Sequence, residues 1–342
     1  MDDAPQGRIP WVDYYKGIAI FSVVWLHVHS SEVLDWCINA YVIPVFLACS
    51  GFLFSYRRNP SFSGFLRKRF RQLVVPYLWI NLLAYAAWFL ALRHYGDNAL
   101  DSLAWYKPLA AIFIGWPRWL VQDVPLWAIM AFFSVEIVYY VLRRAVRSGF
   151  AVIALSLVVC WVAYRFARGW LEWLPFCLGP ALFGLPFYAL GHVVAERRAM
   201  FPGAFRLNAP LALAGLALFL CGLLNNSPVA FYVCEFGNPV FFLIGGVGGV
   251  ILVEQLSLLL ARRFGDTPFV VFVSKSTMLV CGFHLLVFAA VKGVALFVFG
   301  IPPGLLSANV FNGLLFAVVA FGLSLVPAYI VFRYFNFLVD KR

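Results

Sequence analysis

The chain has 342 residues, of which 63% are hydrophobic and only 12% carry a charged side chain. Soluble globular proteins are nearer half apolar and a quarter charged, so this composition excludes the soluble classes and predicts a membrane protein with several spans. Seven scattered cysteines without a Cys-x-x-Cys pair favour packing roles over a metal site or a disulfide framework.

The first apolar segment, 14–31, and its entry carry the ionisable side chains Asp13, Lys16 and His27. At about 100° per residue, His27 returns to nearly the same helix face as Lys16, roughly 16 Å further along. Asp13 falls on that face too, whereas His29 lies about 200° round from His27 and is expected to point elsewhere. Charge is costly in lipid, so the stripe predicts a functional site with His27 as general base. The alternative is a buried histidine hydrogen-bonded to a neighbouring helix.

Apolar stretches long enough to cross a bilayer recur along the whole chain. We predict ten spans, at 14–31, 37–56, 73–92, 124–142, 148–165, 175–195, 208–225, 236–260, 276–299 and 309–332. A shorter patch, 109–116, is predicted to be re-entrant or interfacial because Gly115 and Pro117 interrupt it. The predicted fold class is therefore all-α, a polytopic membrane bundle of about ten transmembrane helices.

The basic residues predict the orientation of this bundle, because cytoplasmic segments are enriched in lysine and arginine. With the N terminus inside, 19 of the 26 basic residues fall on the cytoplasmic side. The other seven are Arg93, Lys107, Arg118, Arg165 and Arg168 outside, and Lys275 and Lys292 at or within spans. Both termini are therefore predicted to be cytoplasmic. Topology also explains the net charge of +11 without a nucleic-acid partner.

An inner loop between the second and third spans holds six basic residues within 57–71 and ends at Pro76. Attraction to anionic membrane lipids is one interpretation of this density. The other is a binding site for a polyphosphate such as the nucleotide of coenzyme A, because paired guanidinium groups bind phosphates well. The residues concerned are Arg67, Lys68, Arg69 and Arg71.

Glu136 lies in the middle of the fourth span, where a carboxylate needs a partner. Bracing of the helices through an arginine or a tyrosine and a catalytic role are both open. A glycine cluster, 245–249, lies within another apolar span. It predicts close helix packing and argues against a phosphate-binding loop.

His284 lies in a span that enters from the inside, at a depth comparable to that of His27. Two intramembrane histidines at matched depth predict one shared cavity, the alternative being a hydrogen bond that only supports packing. Lys275, at the start of the same span, is a further candidate for donor binding.

Several short motifs, taken in order, resemble those of the acyltransferase 3 family of membrane-bound O-acyltransferases. The pattern Asp13-x-x-Lys16-Gly17 followed by His27 is similar to the family's first-helix signature. The others are Ser50-Gly51-Phe52-Leu53, Phe65-Leu-Arg67-Lys68-Arg69-Phe-Arg71 with Pro76-Tyr77, Pro125-Leu-Trp127, Leu185-Pro-Phe-Tyr-Ala-Leu-Gly191, and Ser276 to His284. The resemblance spans nearly the whole chain, 1–342, which is expected to form a single transmembrane domain without a soluble accessory domain.

The resemblance implies an acetyltransferase of a bacterial cytoplasmic membrane. Acetyl-CoA would bind from the cytoplasm, and the acetyl group would pass to a sugar hydroxyl at the outer face. The acceptor would be an exopolysaccharide, a lipid-linked oligosaccharide or another surface glycan, and no metal is implied. The expected roles are catalysis for His27, His284 and Glu136, donor binding for Lys16, Arg67, Lys68, Arg69, Arg71 and Lys275, and site support for Asp13, Ser50 and Trp127.

Lys16, where many members of the family have arginine, is closest to the branch of sugar O-acetylases of the fucose acetylase or xanthan acetyltransferase type. Two residues depart from that branch: Val42, where histidine is frequent, and Cys281, where tyrosine is usual. Because of these two residues, the resemblance does not identify the acceptor. It does not decide whether the protein forms a homo-oligomer either. The rival class is a secondary transporter or a flippase, because buried charge and helices interrupted by glycine or proline also suit a carrier. A carrier does not need a dense basic loop.

Overall fold

The computed structural model describes residues 8–94, 103–166, 169–201 and 203–339, and within them it contains helices and an isolated bridge between Ala230 and Glu235 but no strand. The α-helices are α1 Pro10–Leu26, α2 Glu32–Leu53, α3 Phe62–Arg69, α4 Val75–Ala87, α5 Tyr106–Ile114, α6 Trp127–Ala145, α7 Gly149–Phe166, α8 Leu178–Glu196, α9 Ala209–Leu224, α10 Pro239–Phe264, α11 Pro268–Phe297, α12 Pro303–Leu306 and α13 Val310–Tyr334. Short 3₁₀ turns are Pro117–Trp119, Val124–Leu126, Leu171–Trp173, Pro175–Cys177, Arg198–Met200, Phe231–Val233 and Asn336–Leu338.

The predicted all-α membrane bundle is confirmed. In the described ranges, eight helical segments are long and apolar enough to cross a membrane. The other two predicted spans are also helical but shorter, since α9 has 16 residues and α1 has 17. The patch at 109–116 lies on α5, whose nine residues are too few to span a bilayer. Arg168, Lys341 and Arg342, which the orientation argument uses, lie outside the described residues.

Polar caps and prolines define where several helices begin. The Asn238 and Thr267 side chains each accept a hydrogen bond from a backbone N–H of the first turn, and a proline follows each of them. Such caps satisfy N–H groups that have no partner within the helix, and proline at the first position has no N–H to satisfy. These signals place the starts of α10 and α11 firmly, even within apolar sequence.

The basic segment expected to be a loop is largely helical. After Asn59 and Pro60, α3 begins at Phe62 and continues through a π turn, Phe70–Val74, into α4. The π turn widens the helix just before Pro76, where the proline ring removes a backbone N–H. The helix that contains the third predicted span therefore begins at Phe62, well before the predicted start of that span at residue 73, and this extension carries the basic side chains.

Glycines allow the closest helix contacts. A Cβ atom at Gly51 would meet the backbone of Tyr188, and one at Gly191 would meet that of Ala48, so α2 and α8 pack backbone to backbone. At the α9–α10 contact, a Cβ atom at Gly222 would meet Gly245. The predicted packing role of the 245–249 cluster is confirmed, because small residues let helices approach closely in a membrane.

Contacts at one end of the bundle fix the direction of α1 relative to α11. Arg8 forms ion pairs with Asp13, at 2.9 Å, and with Asp266, at 3.0 Å. The Tyr14 hydroxyl donates to the carbonyl oxygen of Gly265, at 3.0 Å. The helices α1 and α11 therefore start side by side and run in the same direction. We call this end of the bundle, which also carries the basic residues of 67–71, the basic end, and the other the opposite end.

Candidate active site

A cavity of about 1120 Å³ lies between α1, α2, α6 and α11. Lys16 and Ser50 line it towards the basic end, and Lys292 lines it towards the opposite end. Apolar residues form most of the wall between them: Ile20, Val23, Val42, Ile43, Phe46, Ala128, Phe132, Leu285 and Leu286. The cavity therefore offers a largely apolar passage along the first helix, with a lysine near each end.

His27 lines this cavity where α1 stops. The helix ends at Leu26, and the His27 Nδ1 atom lies 2.7 Å from the carbonyl oxygen of Val23. A carbonyl oxygen can only accept, so Nδ1 carries the hydrogen and the neutral ring keeps its lone pair on Nε2. The side chain is partly exposed to the cavity. His27 can thus take a proton at Nε2 from a bound hydroxyl.

His284 lies beside His27, with the two ring centroids 5.0 Å apart. Its Nδ1 atom lies 3.0 Å from the carbonyl oxygen of Val280, and its Nε2 atom is buried without a hydrogen-bond partner. The two histidines predicted at matched depth therefore do come together. Of these two histidines, His27 lines the cavity, whereas His284 is fully buried and packs behind it.

The structure corrects the expectation for His29. The helical periodicity used to exclude this residue stops at Leu26, and His29 adopts a φ of +54° in the turn that follows. Its ring lies 6.3 Å from that of His27, centroid to centroid, and it also lines the cavity. The predicted span runs five residues past the end of α1, although four of the five residues in the turn 27–31 are histidine or serine.

Of four further predicted residues, three line the cavity and one lies outside it. Lys16 and Ser50 line the cavity, as does Trp127, whose ring stacks on Phe231 at a centroid distance of 5.9 Å. Asp13 is engaged by Arg8 at the basic end and does not line the cavity. Its position suits a role in anchoring the start of α1.

The basic residues of α3 and of the π turn after it divide in the same way. Arg67, Lys68 and Arg71 are exposed at the basic end, whereas the guanidinium of Arg69 turns inward to Glu136. The distance from Arg69 Nε to Glu136 Oε2 is 2.7 Å, and only 5% of the Glu136 side chain is exposed. Of the two roles open for Glu136, this geometry matches bracing of the third span against α6, and Glu136 does not line the cavity.

Lys275 lies on α11 but is exposed and does not line the cavity. Gln122, which no motif indicated, does line it, and its side chain donates to Asn81 at 3.0 Å. The two residues are 41 positions apart on separate elements, so the sequence alone carries no signal for their contact. In the described part of the chain, no three His, Cys, Asp or Glu side chains gather to hold a metal ion.

A second, smaller cleft of about 390 Å³ opens at the basic end between the last turns of α2, α6 and α8. Paired polar side chains line this cleft or lie next to it, and we call them the α6–α8 network: Arg69, Glu136, Tyr139, Arg143, His192 and Glu196. The Tyr139 hydroxyl lies 2.6 Å from His192 Nδ1. Arg143 donates to both carboxylate oxygens of Glu196, at 2.8 and 3.1 Å. These partners belong to different helices and tie them together.

The chain matches the family model described as an acyltransferase domain over residues 9–333. The match includes the whole cavity wall, His27, His284 and the basic residues of 67–71. No curated protein and no solved structure matches the chain.

Proposed function

The chain belongs to the acyltransferase family whose domain it matches, and from that premise we propose that it moves acetyl from acetyl-CoA to a sugar hydroxyl. The acceptor belongs to an exopolysaccharide, a lipid-linked oligosaccharide or another surface glycan. The basic end faces the cytoplasm of a bacterial cell, where acetyl-CoA is available, and both termini lie there. The acceptor approaches from the opposite, outer end.

The observation that carries this proposal is the cavity wall, which runs from Lys16 to His27 and onward to Lys292. Lys16, with Arg67 and Arg71 outside the cavity, supplies positive charge at the basic end for the nucleotide phosphates. The apolar wall suits the pantetheine arm and thioester, which would then lie near His27. The donor and the acceptor can therefore meet at one imidazole without the nucleotide crossing the membrane.

Direct transfer is the simplest chemistry that this arrangement supports. The acceptor hydroxyl gives its proton to His27 Nε2 while its oxygen attacks the thioester carbonyl carbon. The carbon–sulfur bond breaks, and the CoA thiolate takes the proton back from the His27 imidazolium, so atoms and charge balance. The buried Nε2 lone pair of His284, beside His27, would stabilise the imidazolium while it exists.

The test uses the purified protein in liposomes with acetyl-CoA labelled in its acetyl group and with polysaccharide isolated from the surface of its host cell. We expect labelled ester in the polysaccharide together with an equal amount of free CoA. Uptake of a solute without ester formation would instead support a transporter. The family match, and Lys16 at the basic end of the cavity, favour the enzyme over the transporter.

A further inference from the structure

A second histidine shapes the opposite end of the cavity. His29 lines the cavity in a left-handed backbone conformation, with φ of +54°. Residues other than glycine seldom adopt positive φ, and such conformations collect at functional sites. The turn brings the His29 ring near that of His27, at the 6.3 Å centroid distance. His29 thus lies beside the proton acceptor, on the side away from the basic end.

Asp35 fixes the chemical character of the His29 ring. Its Oδ2 atom lies 2.8 Å from His29 Nδ1, and it belongs to the first turn of α2. A carboxylate can only accept a hydrogen bond, so Nδ1 carries the hydrogen and a neutral His29 keeps its lone pair on Nε2. The His29 side chain remains 69% exposed, against 19% for Asp35. The pair therefore presents an oriented hydrogen-bond acceptor that a ligand can reach.

Polar residues other than His29 also line the cavity at its opposite end. Asn39, one helical turn after Asp35, lines the cavity, and so does Tyr232 from the 3₁₀ turn Phe231–Val233. Further in, Ile43 and Phe46 on the same helix present only hydrocarbon. Polar groups that line a cavity at one end suit a ligand with several hydrogen-bonding groups there.

We propose that His29, oriented by Asp35, accepts a hydrogen bond from one hydroxyl of the acceptor sugar and thereby sets which neighbouring hydroxyl reaches His27. This inference rests on the proposed function. His29 is a binding and positioning residue, and it takes no part in bond making. An amide N–H of the pantetheine arm is the other group that could donate such a hydrogen bond to His29. The position of His29 beyond His27, on the acceptor side, favours the sugar.

The experiment compares His29→Ala and His29→Asn with wild type, because asparagine tolerates positive φ and keeps a donor for Asp35 and an acceptor for the ligand. Glu32→Gln is the matched control, since Glu32 is an exposed acid in the same turn of α2 and does not line the cavity. The measurements are KM for acetyl-CoA, KM for the host polysaccharide, and the NMR positions of the acetyl esters in the product.

We expect His29→Ala to raise the polysaccharide KM about three- to tenfold, the range for one lost hydrogen bond, and to spread the esters over more positions. The acetyl-CoA KM should not move, and His29→Asn should fall between His29→Ala and wild type. Unchanged polysaccharide KM and ester positions in both His29 variants would overturn the proposal, and a rise in acetyl-CoA KM alone would assign His29 to the pantetheine arm. If wild type transfers no acetyl to polysaccharide, the proposed function itself fails and this inference falls with it. If His29→Ala does not fold, the comparison rests on His29→Asn.

Discussion

The cavity and the α6–α8 network both hold buried polar side chains, but these side chains have different kinds of partner in the two regions. In the network, Arg69 pairs with Glu136, Tyr139 contacts His192, and Arg143 binds both oxygens of Glu196. Beside the cavity, His27 and His284 each bond only a backbone carbonyl oxygen of their own helix, which leaves Nε2 uncommitted.

This difference separates stabilising groups from reactive ones. A buried polar group that pairs with another helix supports the fold, and the loss of one partner leaves the other exposed to a desolvation cost. An imidazole that donates a hydrogen bond from one ring nitrogen to a carbonyl oxygen of its own helix has a fixed tautomer. Its other nitrogen keeps a free lone pair, which is what a general base needs. The comparison therefore predicts loss of activity from changes in the cavity and loss of stability from changes in the network.

The largest effect is expected from His27→Ala. It removes the proton acceptor from the cavity while its neighbours remain, so acetyl transfer should fall about 10²- to 10⁴-fold. The melting temperature in detergent should stay close to that of wild type because His27 bonds only its own helix. The measurement is transfer of labelled acetyl to polysaccharide, normalised to folded protein.

His192→Gln is the matched control, since His192 is a buried histidine of the α6–α8 network and does not line the large cavity. It should lower the melting temperature through its contact with Tyr139 and leave specific activity within about twofold of wild type. The comparison breaks down if His27→Ala retains wild-type turnover, or if His192→Gln abolishes turnover in protein that is still folded.

Glu136→Gln should have the largest effect on stability. It leaves the Arg69 guanidinium, which is only 22% exposed, without its carboxylate, and breaking such a pair costs about 3 kcal/mol. The double variant Arg69→Met/Glu136→Leu should recover much of that loss because it leaves no unpaired charge. Thermal unfolding of the three proteins provides the measurement. A Glu136→Gln protein that melts like wild type but transfers no acetyl would instead assign Glu136 to catalysis.

Neutralising Arg67 and Arg71 together should raise the acetyl-CoA KM several-fold without moving the melting temperature. Both side chains are exposed at the basic end, where they contribute long-range attraction for phosphates. Arg262→Gln/Arg263→Gln removes the same charge from the end of α10 and serves as the control. Equal KM values in the two double variants would show that Arg67 and Arg71 have no specific role in donor binding.

The smallest effect is expected from Arg118→Gln at the opposite end. Arg118 Nε lies 2.8 Å from Glu172 Oε2, but half of the arginine side chain is exposed. Such pairs contribute about 0.5 kcal/mol or less, so melting temperature and turnover should both stay near wild type. A loss comparable to that of Glu136→Gln would mean that exposure does not separate the two classes of ion pair.

Hydropathy predicted the helices well because ten long apolar stretches leave few other structures in lipid. It did not reveal that the helix of the third span extends back to Phe62, since the basic residues of 67–71 lower the local hydropathy although the backbone remains helical. Hydropathy also predicted that the first span continues past Leu26. Helical periodicity was therefore applied to His29, which lies beyond the end of the helix, and wrongly excluded it from the site.

The pairing of side chains could be predicted only along a single helix. The shared face of Lys16 and His27 follows from helical geometry, and both line the cavity. The partners of Glu136 and Gln122 lie 67 and 41 residues away on other elements, so their contacts depend on helix packing that no local pattern encodes. A motif indicates that a charged side chain needs a partner, but only the folded structure identifies the partner residue.

The lysines near the two ends of the cavity have a consequence for ion permeability. A water-filled passage through a membrane would dissipate an ion gradient if protons or cations could enter it. Among the described residues that line this cavity, Lys16 and Lys292 lie near its ends, and none is an aspartate or a glutamate. Positive charge raises the electrostatic barrier for cations, as it does in selective pores. Lys16 and Lys292 therefore oppose the entry of cations at both ends of the cavity.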